Sequence, residues 1–184
     1  MHKDELWQEY DYDGNRLGSI PPAGYDISKI KLFGGAAIML YRYNNGEVEV
    51  LFQHRSKLLD RNADKWDVSA GGHVNFGESR IDAAVRETME EIGVRVDPKK
   101  LEFAASYIQK KRMLIHLYFY DYTGKKDDFH FDDKEVSEVK WVPFSKLVDF
   151  WPNLKPQARD DAVFQTLLLE CIRTAQEKYG NPHD

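Results

Sequence analysis

The chain has 184 residues, 42% of them apolar and 13% aromatic, enough to bury the core of one domain and too hydrophobic for a disordered chain. A formal net charge of -5 argues against a nucleic-acid partner, which would call for a basic footprint. The single cysteine, Cys171, excludes an internal disulfide, and the charged start MHKDELWQEYDYDG with no long apolar run predicts a cytoplasmic protein without a membrane span.

Residues 5–20 read as a β-hairpin, with aromatic and polar residues alternating through Leu6, Trp7 and Tyr10 and with Asp13-Gly14-Asn15 as the turn. Pro21-Pro22 ends it. It is either a plain edge hairpin or an arm exchanged in a homodimer, and because a lone hairpin is marginal in water the second is favoured. Residues 1–27 are accordingly read as an extension and 28–184 as the main domain.

Residues 30–43 and 48–54 are apolar runs joined by Asn44-Asn45-Gly46, a hairpin signal. Gly34-Gly35 within the first points to a bulge or a close backbone approach. Residues 56–65 form a polar, basic loop, and 66–70 a short strand.

A helix follows over 79–92. Ser79 is its N-cap, Asp82 the capping partner three residues on, and Gly93 the terminating glycine. Ile81, Ala84, Val85, Thr88, Met89 and Ile92 recur at steps of three and four and predict its apolar face. Residues 94–96 and 101–109 read as strands, 110–112 as a turn, and the aromatic run 113–122 as a central buried strand that takes in His116 and Tyr118. An acidic loop spans 125–133, a strand 135–142, and a short helix 143–150 opening on Pro143. A long helix covers 159–179, with Ala162, Val163, Leu167, Leu168, Cys171, Ile172 and Ala175 along one stripe.

Glu87, Glu90 and Glu91 fall at i, i+3 and i+4 of the first helix and point at one region, opposing the helix by about a few tenths of a kcal/mol for each exposed like-charged pair. Arg86 neutralises only part of this charge. A hard divalent cation such as Mg²⁺ requires clustered oxygen donors of this kind, whereas an ordinary glutamate-rich helix face is simply solvated.

The wider pattern weighs toward the metal. Gly72, then Glu78, then Arg86-Glu87-x-x-Glu90-Glu91-x-Gly93 resembles the signature box of the Nudix family, with Thr88 where the family more often has an aliphatic residue. The resemblance implies an α/β fold, an α/β/α sandwich on a mixed sheet with a long C-terminal helix. It also implies Mg²⁺-dependent hydrolysis of a diphosphate linkage, with Mn²⁺ as a substitute, in a small molecule such as a nucleoside diphosphate joined to another moiety. By position, Glu87, Glu90, Glu91 and the carbonyl of Gly72 would hold the metal, and Glu78 would pair with Arg86. The general base would be Glu87 or, on a later loop, Glu135, with Asp132 and Asp133 as weaker substitutes. Arg55, Lys57, Arg61 and Lys65 either supply cationic contacts to phosphates or are simply solvated, and His73 would reach substrate or metal unless its role is structural.

The stretch from Leu51 to Ser79 also resembles the isopentenyl-diphosphate isomerase branch. The position of that enzyme's catalytic cysteine holds Gly71 here, and the first long strand lacks its metal-binding histidines, so hydrolysis is favoured over isomerisation. A ligand-binding regulator on the same scaffold is expected to have lost box glutamates, and this chain keeps them all.

Overall fold

The computed structural model describes residues 6–21, 31–131 and 134–180, so Asp132 and Asp133 lie outside the described residues. The element that orders the rest is a thirteen-residue strand, β3 (Leu32–Asn44), which alternates side chains between two apolar cores. One of its edges pairs in parallel with β8 (Met113–Asp121) from Phe33↔Met113 to Tyr41↔Asp121. The other edge is shared in turn by β1 (Trp7–Tyr10), β6 (Ala70–His73) and β4 (Glu47–Arg55). β2 (Arg16–Ile20), β5 (Trp66–Asp67), β7 (Glu102–Gln109) and β9 (Val136–Pro143) complete a mixed sheet of nine strands.

Local chemistry sets the turns. Asn45 and Gly46 take the two positive φ angles that a tight hairpin between right-twisted strands requires. At Gly34 the reason is close approach: a β-carbon there would stand 2.6 Å from the Tyr10 ring of β1. The hairpin β1–β2 is therefore seated on the sheet of its own chain, and Gln8 N–H also donates to the Val74 carbonyl at 2.9 Å. That seat supplies the support a lone hairpin lacks, and the exchange expected for it is not needed to stabilise it.

Residues 66–70, expected as one strand, are two. β5 ends at Asp67 and pairs with β4, whereas β6 starts at Ala70 and pairs with β3. Ser69 makes the switch: buried at the fork between β3 and β4, its hydroxyl accepts from Leu40 N–H at 2.8 Å and donates to the Leu51 carbonyl at 2.6 Å. A side chain replaces the ladder where the strands part. The strand expected at 94–96 does not form, although Val94 and Val96 are buried.

α1 (Arg80–Ile92) covers one face of the sheet, over β6 and β3, and α4 (Ala162–Gly180) covers the other. Ser79 Oγ accepts from Asp82 N–H at 3.1 Å, and Gly93, at φ 71°, ends α1 in the left-handed region. α4 buries Phe164, Leu168, Ile172 and Ala175, so its stripe is centred on Phe164 rather than on Val163, which is exposed. Between β9 and α4 the chain forms short helical turns, including α2 (Leu147–Phe150) and α3 (Pro156–Arg159). No helix among the described residues is long and apolar enough to cross a membrane.

Candidate active site

The helix α1 buries Ala84, Thr88 and Ile92 of the face its apolar spacing predicts, but it is turned about its axis away from the edge that carries Ile81 and Met89. Ile81 and Met89 are exposed, whereas Ala83, Ala84, Thr88, Glu91 and Ile92 are buried. Thr88 pays for its place by donating its hydroxyl to the Ala84 carbonyl at 2.6 Å. The rotation carries two of the three glutamates inward, onto the Gly71-Gly72 pair of β6.

Gly72 admits the helix and Gly71 admits the neighbouring strand. A β-carbon at Gly71 would stand 2.8 Å from the Ala36 carbonyl oxygen of β3, and one at Gly72 would stand 2.6 Å from Glu87 Oε2. Glu87 thus lies against the backbone of Gly72. Glu91, only 4% exposed, accepts at Oε2 from Gly71 N–H at 2.7 Å and from the Gln53 amide of β4 at 3.0 Å.

Arg86 ties the group together. Its Nε and Nη2 donate to Glu78 Oε1 and Oε2 at 2.9 and 3.1 Å, a bidentate pairing, and Nη2 also reaches the His73 carbonyl at 2.9 Å. Nη1 bridges Glu87 Oε1 and Glu90 Oε2, both at 2.9 Å. Glu78 accepts in addition from Asn75 N–H at 3.0 Å, and its carbonyl accepts from Arg16 of β2. The Glu78–Arg86 pairing expected from the box is therefore present.

Burial raises the Glu87 carboxyl to about 7 against the opposing pull of Arg86, with Glu90 and Glu78 adding to the rise. Burial, then the charge of Glu87, lifts Glu91 well above the usual carboxylate range. Burial also works against the Arg86 guanidinium, but Glu78 and Glu87 hold its pKa above the ordinary value. This is a dense negative cluster with one organic cation inside it.

The donors suit a hard cation: all are oxygens, on a rigid helix and a strand, and the partly buried Glu87 and buried Glu91 lack enough positive charge to ionise freely. They are not gathered around one point. Among the described residues no three acidic, histidine or cysteine side chains converge at metal-binding spacing, because Arg86 stands between Glu87 and Glu90 while Glu91 turns to Gly71 and Gln53. Glu90, 53% exposed, has the freedom to swing toward the others.

The remaining expected residues are dispersed. The His73 ring stacks on Trp7 at 3.8 Å and lies near Phe33, and burial, then Arg86 and Lys155, lowers its pKa to about 4. Arg55 turns toward the buried Asp67 at 3.7 Å, where Lys155 is also bound at 2.5 Å. Lys57 is exposed on the loop beside Asp64, at 3.8 Å. Glu135 is half-buried just before β9, with its carbonyl accepting from Ser56 N–H at 2.8 Å. Cys171 packs on the face opposite α1, and burial pushes its thiol up to about 12.

Gln53 and Trp7 were not among the expected site residues. Gln53 has a visible signal, a polar residue at an inward position of the apolar run LFQHR. The Trp7–His73 stack has none, because it joins residues far apart in the chain.

The sequence profile of the NUDIX domain matches residues 33–166, well over half the chain. An uncharacterized Nudix hydrolase of Clostridium acetobutylicum is 31% identical over 114 residues, covering 56% of this chain and 53% of that protein. The chain thus spans about half the length of that relative. Among solved structures, DR0079 of Deinococcus radiodurans superposes with a TM-score of 0.67 at 17% identity, covering 90% of this chain and 98% of that one. An Ap4A hydrolase of C. elegans superposes at 0.56 with 21% identity, covering 77% and 96%. At those identities the superpositions speak for the fold.

Proposed function

The chain belongs to the Nudix family, and we propose that it hydrolyses a diphosphate linkage in a nucleoside diphosphate derivative or related organic pyrophosphate, using Mg²⁺ with Mn²⁺ as a substitute. The observation that carries this reading is the partly buried Glu87 carboxylate, set against Gly72 and held by Arg86. A solvated glutamate face has no reason to bury Glu91 or to press Glu87 against Gly72.

Glu87, Glu90, Glu91 and the Gly72 carbonyl would hold the cation, which when bound offsets phosphate charge and acidifies a water. The chain's own residues do the rest. Glu78 fixes the Arg86 fork, and Arg86 orients Glu87 through Nη1. The general base is Glu87, which lies against Gly72 within reach of Arg86, or Glu135 on the loop before β9. Lys57, exposed on its loop, is available to substrate phosphate. His73, clamped by Trp7, serves the framework through its carbonyl bond to Arg86. An isomerase reading is disfavoured, since Gly71 stands where the catalytic cysteine is required and Cys171 packs on the opposite face.

The test is a panel of diphosphate compounds with Mg²⁺, comparing the native chain with Glu90→Gln and Glu91→Gln. Hydrolysis by the native chain and a loss of 100-fold or more in either variant, roughly the scale of a lost metal function, is the expected result. Binding of panel members with no phosphate product from the native chain would replace the hydrolase reading with a regulator.

A further inference from the structure

We propose that Gln53 is a positioning residue for Glu91, holding one carboxylate oxygen so that the other is offered to the cation in a single orientation. This rests on the reading of Glu91 as a metal donor. Gln53 lies on β4 two residues beyond Leu51, faces the core under α1, and is 1% exposed. Across the neighbouring strands it sits opposite Asp67 of β5 and Val139 of β9.

Two observations single it out. Its Nε2 and Gly71 N–H come from different strands yet converge on the same atom, Glu91 Oε2, at 3.0 and 2.7 Å. Two donors on one oxygen fix the plane of the carboxylate, and Oε1 receives no hydrogen bond among the described residues. Second, the Gln53 Oε1 is buried with no hydrogen-bond partner. An unpaired buried amide oxygen costs stability, and an aliphatic side chain at this inward position would avoid that cost. The amide is retained for the one bond it makes. A residue serving only to tie α1 to β4 would not need to select the oxygen already held by Gly71.

The experiment titrates the full chain with Mn²⁺ alone and reads free ion by electron paramagnetic resonance, for the native chain, Gln53→Met, Glu91→Gln and the double variant. Gln53→Met is expected to weaken Mn²⁺ binding about tenfold or more, the usual effect of removing a group that orients a ligand. In the Glu91→Gln background the same change is expected to shift binding less than about twofold, because there is no carboxylate left to position. In turnover, kcat should fall with KM unchanged. Gln53→Asn, polar but one methylene too short, should reproduce the loss and serves if Gln53→Met does not fold. Unaltered Mn²⁺ affinity in either variant, or an equal loss in both backgrounds, overturns the proposal. A Gln53-dependent Mn²⁺ affinity in a chain that hydrolyses no diphosphate would sustain it while removing the hydrolase reading, and hydrolysis with indifference to Gln53 would do the reverse.

Discussion

Replacing Glu87 with Gln should stabilise the metal-free protein, and by an amount that depends on pH. In the fold this carboxyl titrates at about 7 rather than at 4.5, chiefly because it is buried. Between those values the native state binds more protons than the unfolded chain, so the stability contributed at this position falls as pH rises through 4.5 to 7. The full displacement corresponds to roughly 3 kcal/mol, spent on keeping a charge out of water, and it is complete only above the native pKa. Glutamine keeps the shape and an acceptor for Arg86 Nη1 but carries no charge to desolvate. The difference in unfolding free energy between Glu87→Gln and the native chain should therefore be about 2.5 kcal/mol more favourable to the variant at pH 8 than at pH 5, where part of the displacement is already lost. Urea melts in a chelator at the two pH values measure it, and taking the difference between pH values cancels effects of size and of the histidines. Mg²⁺ at pH 8 should raise the native midpoint and leave the variant unmoved. A difference that is the same at both pH values would refute the reasoning, since it would mean that Glu87 is not held at an energetic cost.

Further consequences can be checked alongside. Arg86→Lys keeps the charge but loses the fork that serves Glu78, Glu87, Glu90 and the His73 carbonyl; it should cost about 2–4 kcal/mol in chemical denaturation and most of the turnover. Gly72→Ala places a methyl against the Glu87 carboxylate and should cut kcat by about 100-fold or more with circular dichroism unchanged, as a small misplacement of a reacting group does. Ser79→Ala removes the cap of α1 and should cost about 1 kcal/mol by thermal melting. His73 and His116 are both lowered to about 4 by burial, so stability present above pH 6.5 should be lost as pH falls toward 4; His116→Gln should flatten that acid limb in a urea series.

The ends of α1 were legible because caps are local: Ser79, Asp82 and Gly93 act within a few residues. Its orientation was legible only in part. Apolar spacing nominates Ala84, Thr88 and Ile92 correctly but also Ile81 and Met89, whereas Gly72 admits Glu87 and Gly71 N–H binds Glu91, contacts with another strand that outweigh periodicity. The break between β5 and β6 depends on Ser69 reaching both β3 and β4, which no window of sequence can display. The box places Glu87 beside Gly72 and Glu78 beside Arg86, contacts the fold contains. It did not reveal that Arg86 stands between Glu87 and Glu90, because a signature records residue types and spacing but not which charge satisfies which.

The parallel ladder of β3 with β8 joins residues 80 positions apart, as Phe33 and Met113 are. A chain growing from its amino terminus therefore completes α1, its glycine seat and the turn of β3 into β4 well before the strand that finishes the sheet is made. During that interval one whole side of β3 lacks its partner and offers a long apolar edge to any extended peptide nearby. Assembly must wait on this distant closure, which places the chain among slow folders and makes the window before Asp121 emerges its moment of greatest exposure to aggregation.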